Sequence, residues 1–183
     1  PNSAGNPILV RDLAKNEDTN NRFIQAMKLT TNILDSGNNV VRLLFNGGID
    51  YLANETFVYV PEIHQAQRGN QNGFIGVGKN IFTNYNYQAI GVWNHDAMGG
   101  DLALTTQGGI SYLEQQTDLV FNQATQLIPN QTNLGQGSAQ AITQTTSTVK
   151  EFGYFAQVEG NLRYQLIGTL GYLLDKSNLN ADP

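Results

Sequence analysis

The stretch Val40–Tyr51 reads VVRLLFNGGIDY, and it decides the fold class because its side chains alternate in character with a period of two. The apolar or small row is Val41, Leu43, Phe45, Gly47, Ile49 and Tyr51. The opposite row, which carries the polar groups, is Arg42, Leu44, Asn46, Gly48 and Asp50. Successive side chains of a strand point to opposite faces, so the alternation predicts a β-strand. Twelve residues at about 3.3 Å each span roughly 40 Å, which is long for a strand of a soluble domain.

The same alternation recurs along the chain with turn residues between the repeats. The other predicted strands are Arg22–Leu34, Lys79–Trp93, Asp101–Gln115, Val149–Leu162 and Tyr164–Asp175. Consecutive strands joined by short turns pair antiparallel. The sequence therefore predicts an all-β fold, an antiparallel up-and-down meander of about six long strands.

The connections alternate in length. Short links are predicted at 35–39, 94–100 and about 162–164, whereas long polar links cover 52–78 and 117–148. Short turns at one end and long loops at the other are typical of transmembrane β-barrels of the outer membrane. We therefore interpret residues 1–183 as one partial barrel segment. Its predicted parts are a loop-like lead-in at 1–21, strand pairs at 22–51, 79–115 and 149–175, and extracellular loops at 52–78 and 117–148.

The positions of the aromatic residues indicate that the apolar rows contact lipid rather than a second layer of protein. Tyr51, Trp93, Tyr112 and Tyr172 lie near the ends of these rows, where membrane interfaces favour Tyr and Trp. The opposite rows are polar but carry few charges, as in a hydrated lumen. The alternative is a soluble or surface β-sandwich with a structural or adhesive role, whose two sheets would hide the apolar rows from water.

Composition excludes several functional classes. The net charge is −5 and no cluster of Lys and Arg is present, so a nucleic-acid partner is not expected. The absence of cysteine excludes disulfides and thiolate metal sites. No apolar stretch reaches the length of a spanning helix. Only 14% of residues are charged, while Asn and Gln make up about a fifth of the chain. Amides both donate and accept hydrogen bonds, which suits neutral, hydroxyl-rich solutes.

Motifs that suggest chemistry fail in their context. Residues 73–80 approach a phosphate-loop pattern, but a polar loop precedes them, a strand follows, and Asn80 replaces the hydroxyl residue. His64 and His95 are predicted at opposite ends of the strands, and the oxygen-rich run 175–182 lacks the glycine and glutamate of a calcium loop. We expect no catalytic residue, no cofactor and no metal site, and therefore no enzyme.

The polar rows supply the candidate functional residues, which we expect to face the lumen and contact a solute or a plug. These residues are Arg42, Asn46, Asp50, Asn84, Asn86, Gln107, Gln157 and Glu159.

Several segments, taken in order, resemble TonB-dependent outer-membrane receptors of the SusC/RagA type. The segments are NPILVRDLAKNEDTNNRFIQAMKLTTN at 6–32, LLFNGGIDY at 43–51, ATQLIPNQTN at 124–133, KEFGYFAQ at 150–157 and DKSNLNADP at 175–183. The sequence departs from the family pattern at Leu173, where an arginine is usual, and at the turn Asn161–Arg163.

The resemblance implies the wall and extracellular loops of a receptor in the bacterial outer membrane. Such a receptor imports a nutrient such as a glycan or peptide fragment. The implied partners are the remainder of the barrel with its plug, the TonB complex, a SusD-like lipoprotein and the lipid bilayer. Because receptors of this kind close with 22 strands around a plug, six strands imply a portion of a larger protein.

Overall fold

A computed structural model describes residues 7–64 and 71–179, and the six strands in these residues form one antiparallel sheet. A short helix, α1, covers Pro7–Leu13. The strands are β1 (Lys15–Ser36), β2 (Asn39–Val60), β3 (Phe74–Ala97), β4 (Leu102–Leu127), β5 (Gly137–Leu162) and β6 (Leu166–Ser177). Each strand lies beside its neighbours in sequence. The predicted all-β meander is confirmed, and the described residues form a single sheet rather than the two of a sandwich.

The short turns lie where the sequence predicts them, and left-handed residues close them. Gly37 lies in the first turn with φ 56°, and Gly99 and Gly100 lie in the second with φ 69° and 99°. In the third turn Arg163 and Tyr164 both have positive φ, and the N–H of Gln165 donates to the carbonyl of Leu162. Two consecutive left-handed residues make a type I′ turn, whose twist matches that of the flanking strands.

The strands continue well past the bounds predicted from alternation, which corrects the predicted loops and lead-in. The predicted loop 52–78 shrinks to the connection 61–73, and the loop 117–148 shrinks to 128–136. The lead-in 1–21 contains α1 and the beginning of β1. Two of these extensions, 15–22 and 138–148, are exposed and mostly polar in both rows. These two show no apolar alternation, yet backbone hydrogen bonds pair them with their neighbours as in any strand.

The chain divides into two compact units, each built from parts of several strands. The first unit contains residues 1–22, 51–82 and 116–147. Its core consists of Tyr59, Ile75, Ala124 and Leu127, against which Phe57 and Leu134 pack. Gly73, at φ +90°, lies close to the Leu127 side chain, which a β-carbon there would meet at 3.1 Å.

The second unit contains residues 23–50, 83–115 and 148–183. None of the large hydrophobic side chains that the structure describes in this unit is fully buried. Within the described residues, no second layer of protein covers either face of the sheet in this unit. None of the described helices is long and apolar enough to span a membrane.

Candidate functional site

The second unit has an apolar face, formed by one of the two side-chain rows of every strand. Its larger members, all at least a third exposed, are Phe23, Met27, Leu29, Ile33, Leu43, Tyr87, Trp93, Ile110, Tyr154, Val158, Leu162, Leu166, Leu170, Tyr172 and Leu174. Leu170, near the middle of the row on β6, is 79% exposed. In this unit the rows cover residues 23–33, 41–49, 85–93, 102–112, 152–162 and 166–174 on the six strands.

Aromatic rings join neighbouring strands at one end of these rows. The Tyr87 and Tyr112 rings stack with centroids 6.5 Å apart, and Phe152 meets Tyr112 edge-on at 6.4 Å. Phe152 also contacts Tyr154 at 4.7 Å. Pairs of this kind add about 0.5–1.5 kcal/mol beyond the area they bury. This aromatic row links β3, β4 and β5.

Charged groups follow the aromatic row directly. The hydroxyl of Tyr112 donates to Glu114, and the Lys150 ammonium lies 3.6 Å from the same carboxylate. Lys176, opposite Phe152 in the register of β5 and β6, is exposed. The apolar rows thus end on this side in tyrosines and then in charges.

The opposite end of the apolar face carries a second polar-tipped aromatic group. The indole Nε1 of Trp93 donates to Oδ1 of Asn39 over 3.1 Å, and Nδ1 of His95 lies 2.9 Å from the same oxygen. The Trp93 and His95 rings are in contact, with centroids 5.6 Å apart. His95 is therefore engaged in a local cluster on this face.

The predicted lumen residues all belong to the polar face of the second unit, the row opposite the apolar face. Arg42 and Asn86 are exposed, and the remainder of the set is half-buried, namely Asn46, Asp50, Asn84, Gln107, Gln157 and Glu159. Asn46 lies beside Gln88, and Nδ2 of Asn46 donates to Oε1 of Gln88 over 3.1 Å. Glu159 accepts a long bond of 3.5 Å from the Thr169 hydroxyl. No hydrogen bond within the described residues joins Arg42, Asn84, Gln107 or Gln157 to another of the set.

Two adjoining depressions occupy the polar face. The first, of about 630 Å³, crosses β3 to β6, and its side-chain lining includes Asn86, Gln88, Ser111, Glu151 and Asp175. The second, of about 460 Å³, lies over β1 to β3 and includes Lys28, Asn46 and Gly48. Asn86 and Gln88 line both depressions, so an amide ridge separates them.

Gly153 makes room in the first depression. A β-carbon at this position would lie 2.6 Å from Oδ1 of Asp175 and 2.6 Å from Oγ of Ser111. Real β-carbons do not approach polar oxygens so closely, so glycine lets these two oxygens converge. Ser111, Gln88 and Gly153 lie on the polar face, but the sequence analysis did not single them out. Selection needs the register between strands, which alternation does not supply.

The first unit has a polar network that the sequence did not predict. Oδ1 of Asp18 accepts from Nδ2 of Asn54 (2.6 Å) and from the Thr56 hydroxyl (2.9 Å), and Asn20 donates to its other oxygen. Asn80 donates to Asn54 over 3.0 Å, which extends the network to β3. The hydrogen bond from Asn54, followed by that from Thr56, lowers the pKa of Asp18 from its ordinary value of 3.8. Asp18, Asn20, Asn54 and Thr56 fall in the lead-in and loop of the sequence interpretation, which explains why the network was missed although Asn80 lies in a predicted strand.

Other candidate sites from the sequence do not assemble. Residues 74–80 of the phosphate-loop pattern lie within β3, with no helix after them. His64 and His95 belong to different units. Among the described residues no three His, Cys, Asp or Glu side chains form a group that could hold a metal ion. In the run 175–182 the Asn178 amide bonds the backbone of β5, while Asn180 and Asp182 lie outside the described residues.

The sheet is similar to part of solved peptide-transporter structures. The RagAB peptide transporter superposes with a TM-score of 0.69 at 10% identity, covering 93% of this chain and 19% of that chain. The RagAB peptide importer in its open-open state gives 0.67 at 10% identity, with coverages of 93% and 19%. The closed-closed state gives 0.62 at 9% identity, with coverages of 88% and 18%. This chain therefore spans about a fifth of the chains it matches, and the likeness is one of fold.

No protein-family profile matches the sequence, and no curated protein is similar to it in sequence.

Proposed function

We propose that this chain is part of the wall of an outer-membrane transport barrel of the SusC/RagA type, which imports a nutrient such as a glycan or peptide fragment. The observation that carries the proposal is the two-faced sheet of the second unit. Its apolar face is exposed on all six strands, while its polar face carries amides, hydroxyls and few charges.

The free-energy cost of exposing the apolar face to water favours an arrangement in which lipid covers this face. Burying one large apolar side chain contributes about 1.5–3 kcal/mol. Soluble monomers rarely expose apolar patches larger than a few hundred Å². A sandwich would cover the face with a second sheet, which the described residues do not contain. A bilayer covers it without further protein.

The dimensions of the apolar rows fit a bilayer. A tilted strand needs about 9–11 residues to cross the hydrocarbon layer. The rows at 85–93 on β3, 152–162 on β5 and 166–174 on β6 have this length. Tyr112 and Trp93 bound the rows with polar atoms directed to hydrogen-bond partners, as in interfacial girdles.

The connections set the orientation in the proposal. Turns such as 163–165 are short, whereas the connections 61–73 and 128–136 are longer. Short turns are periplasmic and longer loops extracellular in outer-membrane barrels. The polar face then lines the lumen, and Arg42, Asn46, Asp50, Asn84, Asn86, Gln107, Gln157 and Glu159 contact solute or plug. No catalytic step is assigned to them.

The two edges of the sheet are where the remaining strands of the barrel would pair. Within the described residues β1 and β6 each have a single neighbour, so each leaves one edge of backbone donors and acceptors open. Open edges do not occur within the hydrocarbon layer. We therefore place further strands, around a plug, beside β1 and β6. A SusD-like lipoprotein and the TonB complex complete the proposed assembly.

Uptake by intact cells tests the transport role. Cells lacking the gene for the whole protein should lose uptake of labelled oligopeptides or oligosaccharides, and complementation should restore it. Loss of TonB should abolish the same uptake, whereas a passive pore would keep it. Recovery of the protein in the soluble fraction would overturn the proposal. In that case something other than lipid would have to cover the apolar face.

A further inference from the structure

We infer that two lysines beyond the aromatic row of the second unit, Lys150 and Lys176, together bind the phosphate group of a membrane lipid. We call these two residues the lysine pair. The inference rests on the proposed function, since it requires the apolar face to lie against a bilayer. It assigns a ligand of stated chemistry, a lipid with an anionic phosphate, to one border of that face.

The register of β5 and β6 places both lysines on the apolar face. Lys176 is directly opposite Phe152, and residues directly opposite each other on paired strands share a face. Lys150 lies two residues before Phe152 on β5 and therefore shares its face as well. Lys176 also borders the larger depression of the polar face, where it lies between Asp175 and Ser177, whereas the alternation along β6 directs its side chain to the opposite face.

The two ammonium groups are close enough to share one phosphate. The backbone N–H of Asn178 donates to the carbonyl of Lys150, so these two residues are opposite each other and Lys176 is the diagonal neighbour of Lys150. Diagonal neighbours lie about 7–8 Å apart, which is within reach of long side chains. A phosphate group has three strong acceptor oxygens. Because an ammonium group has three donors and no acceptor, two of them can hold one phosphate by charge-assisted hydrogen bonds.

The charges on this face leave the lysine pair net positive. The Lys150 ammonium lies 3.6 Å from the carboxylate of Glu114, whose side chain is 14% exposed and which also accepts from the Tyr112 hydroxyl. This carboxylate offsets one of the two cations. Lys176 is exposed, and none of the ion pairs among the described residues includes it. One positive charge therefore remains for an anion.

The surface next to the lysine pair suits the apolar part of the same lipid. Phe152 contacts Tyr154, and Leu174 is directly opposite Tyr154 on β6. Tyr154, Leu174 and, further along the same row, Leu170 are all exposed. An acyl chain can lie along these side chains while its phosphate stays at the lysines. A free phosphate ion would contact the lysines alone, so the adjoining apolar strip favours a lipid as the source of the phosphate.

The available cation lies at one end of the β5–β6 pair only. In the turn at the other end, Nε of Arg163 donates to Oδ2 of Asp101 over 3.1 Å, and Nη2 of Arg163 lies 3.1 Å from the same oxygen. This ion pair occupies the arginine. The inference therefore places the lipid in the leaflet next to the longer connections, which is the outer leaflet in the proposed orientation.

Lipid binding by the intact protein in detergent tests the inference, with bound lipid measured by native mass spectrometry. The probes are dioleoyl phosphatidic acid and dioleoylglycerol, which has the same chains without the phosphate, and inorganic phosphate serves as a competitor. We expect phosphatidic acid to bind about fivefold more tightly than dioleoylglycerol at low salt, as one net lysine charge near an anionic lipid predicts. This preference should shrink in roughly 0.5 M salt.

Variants of the charged residues separate the lysine pair from the total charge of the protein. Lys176→Gln should remove the preference for phosphatidic acid, and Lys176→Arg should keep it. Lys28→Gln is the matched control, since it removes the same charge from an exposed position on the polar face, and it should leave the preference unchanged. Glu114→Gln should strengthen the preference, because it frees Lys150 and keeps an acceptor for Tyr112. A merely structural role of Glu114 would not tighten lipid binding.

Three results would overturn the inference. They are equal binding of the two lipids, displacement of phosphatidic acid by an equal concentration of inorganic phosphate, and the same loss in Lys28→Gln as in Lys176→Gln. If the protein resides in the outer membrane and shows one of these results, the lipid site fails while the proposed function stands. Recovery of the protein outside that membrane would overturn the proposed function and this inference together.

Discussion

The side chain of Asn178 continues the ladder between β6 and β5 by pairing with the backbone of Lys150. The Lys150 N–H donates to Oδ1 of Asn178 over 2.8 Å, and the Asn178 N–H donates to the Lys150 carbonyl over 3.0 Å. Nδ2 of Asn178 donates to the Thr148 carbonyl, also over 2.8 Å. One amide side chain thus imitates a further peptide group where β6 ends.

Asn178→Ala should loosen this end of the β5–β6 pair. The change removes two hydrogen bonds, each contributing about 0.5–1.5 kcal/mol. Hydrogen exchange at the Lys150 amide should accelerate, while exchange at Val158, in the middle of the pair, should not change. Asn178→Asp is the control, because it keeps the acceptor for Lys150 and should preserve part of the protection. Unchanged exchange at Lys150 in the alanine variant would contradict the role given to this side chain.

Gly109 and Gly168 should respond oppositely to alanine. A β-carbon at Gly109 would lie 2.6 Å from the Ala89 carbonyl oxygen and 2.7 Å from the Phe155 ring, whereas one at Gly168 meets nothing within 4 Å. Gly109→Ala should destabilise the protein by about 1–3 kcal/mol, as overpacking does. Gly168→Ala should be neutral or stabilise it by up to about 1 kcal/mol. Urea unfolding in detergent measures both changes, and equal effects would count against the packing at Gly109.

Arginine at adjacent positions of β6 should distinguish lipid from water. Leu170 lies in the apolar row and Thr169 in the polar row. Near the middle of a bilayer Leu170→Arg should cost about 2–4 kcal/mol of folding free energy. Thr169→Arg, on the polar face, should cost much less. Reversible unfolding from lipid vesicles measures the difference. Since Leu170 is 79% exposed, a water-facing sheet would tolerate arginine at both positions.

Acid should weaken the polar network around Asp18, which lies outside the proposed membrane-spanning segments. Hydrogen bonds from Asn54 and Thr56 lower the pKa of this carboxyl below 3.8 in the folded chain. The stabilisation is therefore fully present above the unfolded value and is lost as the pH falls through the folded value. The carboxyl resonance of Asp18 should titrate below 3.8, and the Asn54→Ala variant should move its midpoint upward. A midpoint at or above 3.8 in the unmodified protein would show that these bonds do not favour the carboxylate.

The second unit was predictable because a strand with one apolar and one polar face imposes a period of two on its side chains. Val41, Leu43 and Phe45 alternate with Arg42 and Asn46, and that pattern located β2 and the turn before it. The extensions of the strands were not predictable in this way. Asp18, Asn20 and Thr56 lie in extensions where polar residues occupy both side-chain rows. Only backbone pairing with a neighbouring strand makes these residues part of the sheet.

The sequence predicted which face of the sheet carries the candidate site, but not which residues of that face come together. Parity along each strand predicts Asn46, Asn86 and Glu159 on one face of the sheet, and Asn46 and Asn86 line the same depression. Their contact with a solute or plug stays a prediction. The convergence of Asp175 with Ser111 over Gly153 depends on the register of β4, β5 and β6. Register is a relation between two paired strands, and the sequence of one strand alone does not encode it.

Single-cysteine labelling along β6 decides whether the apolar face meets lipid. The chain contains no cysteine, so each introduced thiol at positions 166–174 reports without background from these residues. In the intact protein in bilayers, labels at Leu166, Leu170 and Leu174 should be quenched by a lipid-soluble quencher. Labels at Ile167 and Leu173 should react with an aqueous reagent although these residues are hydrophobic, because they lie in the polar row. Equal aqueous access to both rows, or lipid quenching at Ile167 and Leu173 alone, would contradict a membrane wall with a lumen behind it.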